Sequence, residues 1–451
     1  MSNNQNGKLG LLDSTTILIG GMIGSAIFSL SGMTIMNAGP ASILSWIIAA
    51  AILFAYGLQT AELSTVYPHS GGIYLFPAKA LGKNEKQGRL FGWISTWAYL
   101  FGMCAGAAFS AIYVGIYLGV GFPALNNYQV FIGIASVVFC GLLNSVNITV
   151  TGKANTILTL GLAATLVIFI VIALFNGQWD AGMLIPFFSQ GAKGTWGFLS
   201  AIPIAMVAYG SIVAVAFMVG EIKDPNKTVP KAMKIAMSVV AALYILVMVS
   251  VLGLVSSQFL QSNPGMAYIP LYAAAFTKLA AIPWLAKLIS ISAVLALITT
   301  ILVLLNLGAR AVQATAEDSL LPKFLSKYNK KTGVPVNAQI VVTLIVGVIA
   351  AFPSFTNIII NLGSLCSAIV VFILCLTVIA SRKKNPYIQG NFRAPGGNIL
   401  PIATLIIIIS SYVPDIISGG WKLWAWTAGY FLIGMIIYFS RTKKLDSDKT
   451  I

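Results

Sequence analysis

The sequence predicts an all-α integral membrane protein with about twelve transmembrane helices, and three observations predict it. First, 58% of residues are hydrophobic and only 8% are charged, with a mean hydropathy of +0.90. Soluble domains carry about 25% charged residues. Second, the apolar residues gather in runs of roughly 20, the length that crosses about 30 Å of hydrocarbon. Third, the basic residues fall in alternate loops. With the N-terminus in the cytoplasm, every Lys and Arg except Lys193, Lys278, Lys287 and Lys422 lies in an inward segment. That bias is the positive-inside rule, and it places both termini in the cytoplasm.

The expected spans are 14–36, 40–66, 90–120, 128–148, 154–175, 196–219, 232–255, 284–313, 336–353, 357–380, 400–417 and 423–440. Span 1 follows the short polar stretch "MSNNQNGKLGLLDS". No small-residue cleavage site follows a short apolar core, so span 1 reads as retained. Span 2 carries Glu62 near its inner end. Span 3 contains the small-residue run "GMCAGAAFSA". Span 5 starts beside Lys153, and Arg310 stands near the inner end of span 8. The longer polar loops, 67–89, 220–234, 314–335 and 381–399, all face inward and contain Lys with Pro or Gly. The ending "RTKKLDSDKTI" is a charged tail. Cys104, Cys140, Cys366 and Cys375 fall within apolar runs, without a CxxC pair, and read as packing residues.

The net charge of +16 raises the question of a nucleic-acid partner. Topology accounts for the whole basic balance, so none is expected. A metal site is not expected either: His69, in "YPHSGG", is the only histidine.

Two spans are interrupted. "ILIGGMIGSAIF" places Gly20, Gly21 and Gly24 in the middle of span 1, with Ser25 beside them. Span 6 carries Tyr209, Gly210 and Ser211 in "VAYGSIVAV". Gly costs a helix roughly 1 kcal/mol against Ala. One reading is close helix packing through the small-xxx-small pairs Gly20/Gly24 and Gly21/Ser25. The other is local unwinding. Backbone polar groups cannot stay unsatisfied in lipid, so an unwound segment lines a cavity or holds a ligand. Its N–H end attracts a carboxylate and its C=O end an ammonium. If spans 1–5 and 6–10 are repeats, five is odd and the second is inverted. Matched Gly-interrupted spans in inverted halves point to a secondary transporter's binding site. No ionisable residue stands at the centre of any span, which disfavours a dedicated site for a charged substrate and a membrane-embedded enzyme.

Four ordered stretches carry a resemblance: "LGLLDSTTILIGGMIGSAIF", "AELSTVYPHSGGIYLFPAKALG", "GEIKDPNKTVPKAM" and "ARAVQATAEDSLLPKFLSKYNKKTGVPVNA". Together they resemble the amino acid–polyamine–organocation (APC) transporter superfamily over almost the whole chain. The resemblance implies two inverted five-helix repeats (14–175 and 196–380) with broken spans 1 and 6. Two further helices (400–440), a cytoplasmic N-terminus (1–13) and a tail (441–451) complete the chain. It implies substrate binding at Gly20, Gly21, Ile23, Gly24, Ser25 and Ala26 in span 1, and at Ala208, Tyr209, Gly210 and Ser211 in span 6. Tyr209 matches the family's aromatic gate. Ala26 stands where the family has Gly, narrowing the approach to the backbone. Leu162 occupies the place of a coupling lysine found in some members, and Lys153 lies nearer the membrane edge. Thr299 and Thr300 are candidate hydroxyls of a sodium-like coupling site.

The expected function is secondary transport of a small neutral amino acid by alternating access, across the plasma membrane of a bacterium. The alternatives are a polyamine or amine exchanger of the same fold, and a channel-like or sensory membrane protein. No cofactor is expected beyond coupling to H+ or Na+. The expected partners are the small-molecule substrate and the bilayer; oligomeric state is open.

Overall fold

The computed structural model describes residues 9–67, 72–145, 152–214, 222–329, 334–385, 392–414 and 420–448, with backbone alone for 152–157 and 443–448. The described residues are helical almost throughout. The helices include α1 (Leu11–Met22), α2 (Ser25–Ser29), α3 (Ser31–Ala38), α4 (Ser42–Val66), α5 (Gly72–Ala80) and α6 (Glu85–Gly121). Then follow α7 (Gln129–Ser145), α8 (Gly152–Phe175), α9 (Gly197–Met206) and α10 (Pro225–Leu252). The last six are α11 (Pro270–Lys278), α12 (Pro283–Glu317), α13 (Val336–Ala350), α14 (Thr356–Lys384), α15 (Ile399–Ser411) and α16 (Trp421–Asp448).

Ten helical segments among the described residues are long and apolar enough to cross a membrane. The ninth and eleventh of the twelve expected spans are shorter. α13 has 15 residues, about 22 Å at 1.5 Å per residue. It stops at Ala350 rather than 353 because Pro353 has no N–H to continue the ladder and disfavours helix in the residue before it. α15 has 13 residues, and part of the expected 400–417 span lies outside the described residues.

α6 and α12 are the longest helices and pack against each other through the centre. Around them α1 packs on α10, and α9 packs on α4; α7 packs on α13. α16 is fastened to α6 by polar atoms on aromatic rings. Trp93 Nε1 donates to the Gly434 carbonyl and Trp97 Nε1 to the Tyr430 carbonyl, each at 3.0 Å. The Tyr430 ring stacks on Trp97 with centroids 5.0 Å apart. Lipid offers apolar surface as good as a neighbouring helix, so helices adhere through such hydrogen bonds and close packing. The four cysteines are buried free thiols.

One end of the bundle is tied by charge. Glu62, at the end of α4, takes a two-pronged bond from Arg382 of α14, at 2.7 Å from Nε and 2.6 Å from a terminal nitrogen. The Ala394 N–H adds a third donor at 2.9 Å. Both side chains are under 10% exposed, at 8% and 6%. At the same end, Tyr74 of α5 donates to Asp318 just past α12, and Arg89 of α6 approaches Asp318 at 3.6 Å. Burial first, then the hydrogen bond to Asp318, pushes the Tyr74 phenol above its usual range. The chain start joins there too: Leu9 forms a parallel bridge with Ile222, and the Lys223 N–H donates to the Leu9 carbonyl at 3.0 Å.

Candidate functional site

Span 1 is broken where its glycines stand. α1 ends at Met22, and Ile23 leaves the helix with φ −72° and ψ 77°. The Gly24 N–H turns back to the Met22 carbonyl at 2.7 Å, an inverse γ-turn. Gly24 is extended, and α2 begins at Ser25. Leu30 keeps a right-handed helical conformation, so α2 and α3 follow as one rod.

The loose groups at the break find partners on three other helices. The Tyr244 hydroxyl of α10 donates to the Met22 carbonyl at 2.5 Å. The Ser25 N–H donates to Thr300 Oγ1 of α12 at 3.1 Å. Ser110 Oγ of α6 donates to Ser25 Oγ at 3.1 Å. Farther along, the Tyr117 hydroxyl donates to the Phe28 carbonyl at 2.6 Å. A broken helix in lipid needs such donors and acceptors.

The glycines permit these approaches. A Cβ on Gly24 would lie 2.6 Å from Thr300 Oγ1. One on Gly21 would lie 2.9 Å from the Cβ of Ser211. Gly21 therefore brings the span 1 break against the expected span 6 residues. Small-residue packing and a broken helix are both present, so the two readings of the glycines are compatible.

Span 6 differs from the expectation. It does not unwind at Tyr209–Gly210–Ser211 but tightens from α9 into a 3₁₀ segment, Val207–Val213. The i→i+3 ladder lets the chain bend without exposing a full turn of backbone groups; such mid-helix stretches mark hinges or strain. Residues 215–219 of the expected span lie outside the described residues.

An aromatic triad covers one side of the break. Trp46 of α4 meets Tyr244 edge-on at 5.3 Å and Tyr209 at 6.0 Å; Tyr209 and Tyr244 are 5.4 Å apart. All three are fully or almost fully buried. Trp46 Nε1 is spent on Thr34 Oγ1 at 3.0 Å. The Tyr209 hydroxyl is buried with no hydrogen-bond partner among the described residues, as is that of Tyr113 on α6. Gly210, next in the chain, is exposed, and a Cβ there would meet nothing within 4 Å among the described residues. Gly20, Gly21 and Ser211 are half-buried, whereas Ile23, Gly24, Ser25, Ala26 and Ala208 are buried.

Of the candidate coupling residues, Thr300 reaches the break. Thr299 Oγ1 instead donates to the Ala296 carbonyl in its own helix at 2.9 Å. The Lys153 side chain lies outside the described residues, and Leu162 is buried. Among the described residues no three of His, Cys, Asp and Glu come together as metal ligands would.

Sequence reasoning missed Trp46, Tyr244, Ser110 and Tyr113. Each stands on a helix that is apolar nearly all round, where periodicity does not tell the inward face from the others.

Comparison with known proteins agrees with this architecture. Residues 9–437 match the amino acid permease family model. A branched-chain amino acid permease of Bacillus subtilis is 27% identical, covering 97% of this chain and 93% of its own. A methylthioribose transporter of the same bacterium is also 27% identical, with the same coverage of both chains. Its aspartate-proton symporter is 25% identical over 97% of this chain and 84% of its own. The relatives are permeases and transporters rather than enzymes. The chain therefore belongs to the amino acid permease family, and it is a multi-pass membrane protein.

Proposed function

We propose that the chain is a secondary active transporter of a small neutral amino acid, working by alternating access around the Ile23–Gly24 break. The observation that carries this reading is the break itself, ringed by uncharged groups. A free amino acid brings its own carboxylate and ammonium. The helix start at Ser25 offers partial positive charge, and the α1 end offers carbonyls. No side chain named at the break is ionised at neutral pH, so the two backbone ends suit a zwitterion with an uncharged side chain.

Uneven burial around the break supports the transport cycle. Trp46, Tyr209 and Tyr244 are buried, whereas Gly210 is exposed and Ser211 half-buried. That asymmetry suits one state of a two-state carrier. Reciprocal packing supports inverted repeats over 14–175 and 196–380: the first span leans on the seventh, as the sixth leans on the second. The charge bias supports cytoplasmic termini, and the Bacillus relatives fit a bacterial plasma membrane. The aromatic triad favours one second reading, an amine exchanger, because Trp and Tyr faces attract cations.

Proteoliposome uptake tests both. Radiolabelled leucine, valine, serine and alanine are offered with and without a sodium gradient, at two pH values, against competing putrescine. Saturable uptake with counterflow, competed by neutral amino acids, is expected. Competition by putrescine alone would establish the second reading, and unsaturable flux would make the protein a channel.

A further inference from the structure

The end of the bundle tied by Glu62 and Arg382 holds more positive charge than that pair uses. A cavity of about 340 Å³ lies there, lined by Ile379, Arg382, Lys383, Arg393 and Asn398. α14 supplies the first three; the segment leading into α15 supplies the other two. Arg382 is neutralised by Glu62, and one terminal nitrogen also reaches Asn398 Oδ1 at 3.3 Å. Lys383 and Arg393 have no acidic partner among the described residues. Both are exposed, so neither is held by the core. The cavity thus gathers three cations against one carboxylate.

Its position says what kind of anion suits it. α14 ends at Lys384 and α15 begins at Ile399, so the cavity sits where two apolar helices meet the edge of the bilayer. The neighbouring start of α15 presents Ile399 and Ile402 outward, 76% and 46% exposed. Cationic floor and apolar flank together match a molecule with an anionic head and hydrocarbon tails. Basic pockets between membrane helices recognise acidic head groups through charge and hydrogen bonding.

We propose that this cavity binds the phosphate-bearing head group of an anionic phospholipid, with its acyl chains along α15. Lys383 and Arg393 supply the unpaired charge, Asn398 a side-chain amide, and Arg382 the wall shared with Glu62. A phosphate there acts as the counter-charge that the protein lacks. It also braces the junction of α4, α14 and the 392–398 segment. This site is separate from the span 1 break and does not depend on which solute is carried.

The test uses the full chain purified in mild detergent. Phosphatidylglycerol or phosphatidylcholine is titrated in, with bound lipid counted by native mass spectrometry and the unfolding midpoint followed in parallel. Phosphatidylglycerol is expected to stay bound and raise the midpoint; phosphatidylcholine is not. The double variant Lys383→Gln/Arg393→Gln is expected to lose that preference by tenfold or more in apparent affinity. The control Lys323→Gln/Lys327→Gln removes the same charge elsewhere and is expected to keep it. Gel filtration of all variants checks folding, and Arg393→Gln alone serves if the double variant is unstable. Equal loss in the control would show diffuse surface attraction and overturn the proposal, as would equal binding of the two lipids. Inorganic phosphate producing the whole effect would identify a free-anion site and overturn the lipid assignment.

Discussion

Gly24 and Thr300 stand so close that a methyl group on the glycine would lie 2.6 Å from the threonine hydroxyl oxygen. That oxygen also accepts the Ser25 N–H at the start of α2. Gly24→Ala therefore pushes Thr300 away and strips Ser25 of its acceptor. The expected result is intact membrane insertion with transport reduced tenfold or more, and Gly24→Leu should abolish binding. Thr300→Ala in the Gly24→Ala background removes the clash and should recover part of the activity. Uptake assays beside gel filtration measure this; normal transport by Gly24→Leu would reduce the break to a packing feature.

Gly210 predicts the opposite. Its Cβ position meets nothing within 4 Å among the described residues, and its backbone does not need positive φ. Gly210→Ala should leave the stability within about 0.5 kcal/mol of the parent. If substrate enters past Gly210, the added methyl should shift competition toward smaller amino acids. An unchanged substrate profile would move the access route away from Gly210.

The two tyrosines of the triad should respond with opposite sign. Tyr244 satisfies the Met22 carbonyl, so Tyr244→Phe leaves a buried acceptor short of a donor. Its expected cost is about 1–3 kcal/mol of stability. The Tyr209 hydroxyl has no hydrogen-bond partner among the described residues, so Tyr209→Phe relieves a buried polar group. The ligand-free protein should be equally or more stable. Its substrate affinity should fall if that hydroxyl binds the solute. Thermal unfolding with and without substrate separates these effects.

Breaking the Glu62–Arg382 pair should be costly. Each side chain is nearly buried, and Glu62 also holds the Ala394 N–H. Glu62→Gln leaves Arg382 charged and uncompensated, at an expected cost of about 3–5 kcal/mol. Adding Arg382→Gln removes that stranded charge and should restore part of the loss. A double-mutant cycle on the unfolding midpoint gives the coupling; additive losses would show that the pair contributes nothing beyond its single residues.

Local chemistry was legible in the sequence where it overrides the lipid-facing pattern. Gly20, Gly21 and Gly24 marked the rupture because three glycines weaken any helix, and it falls at Ile23–Gly24. Pattern alone did not distinguish unwinding from 3₁₀ tightening at Tyr209, since Gly-Ser permits both. Nor did it reveal Trp46 and Tyr244. In a helix that is apolar on every side, an inward ring and a lipid-facing ring read alike. Glu62 was visible as a charge near a span end, but its partner is 320 positions away and only the fold brings them together.

The main-chain join between Leu9 and Ile222 has a practical consequence for handling this protein. A bulky fusion joined directly to Leu9, in place of residues 1–8, would load the joint that yokes the first rod to the connection after the sixth. Affinity tags and fluorescent reporters are therefore better placed at the far terminus, where pulling on them leaves that yoke untouched.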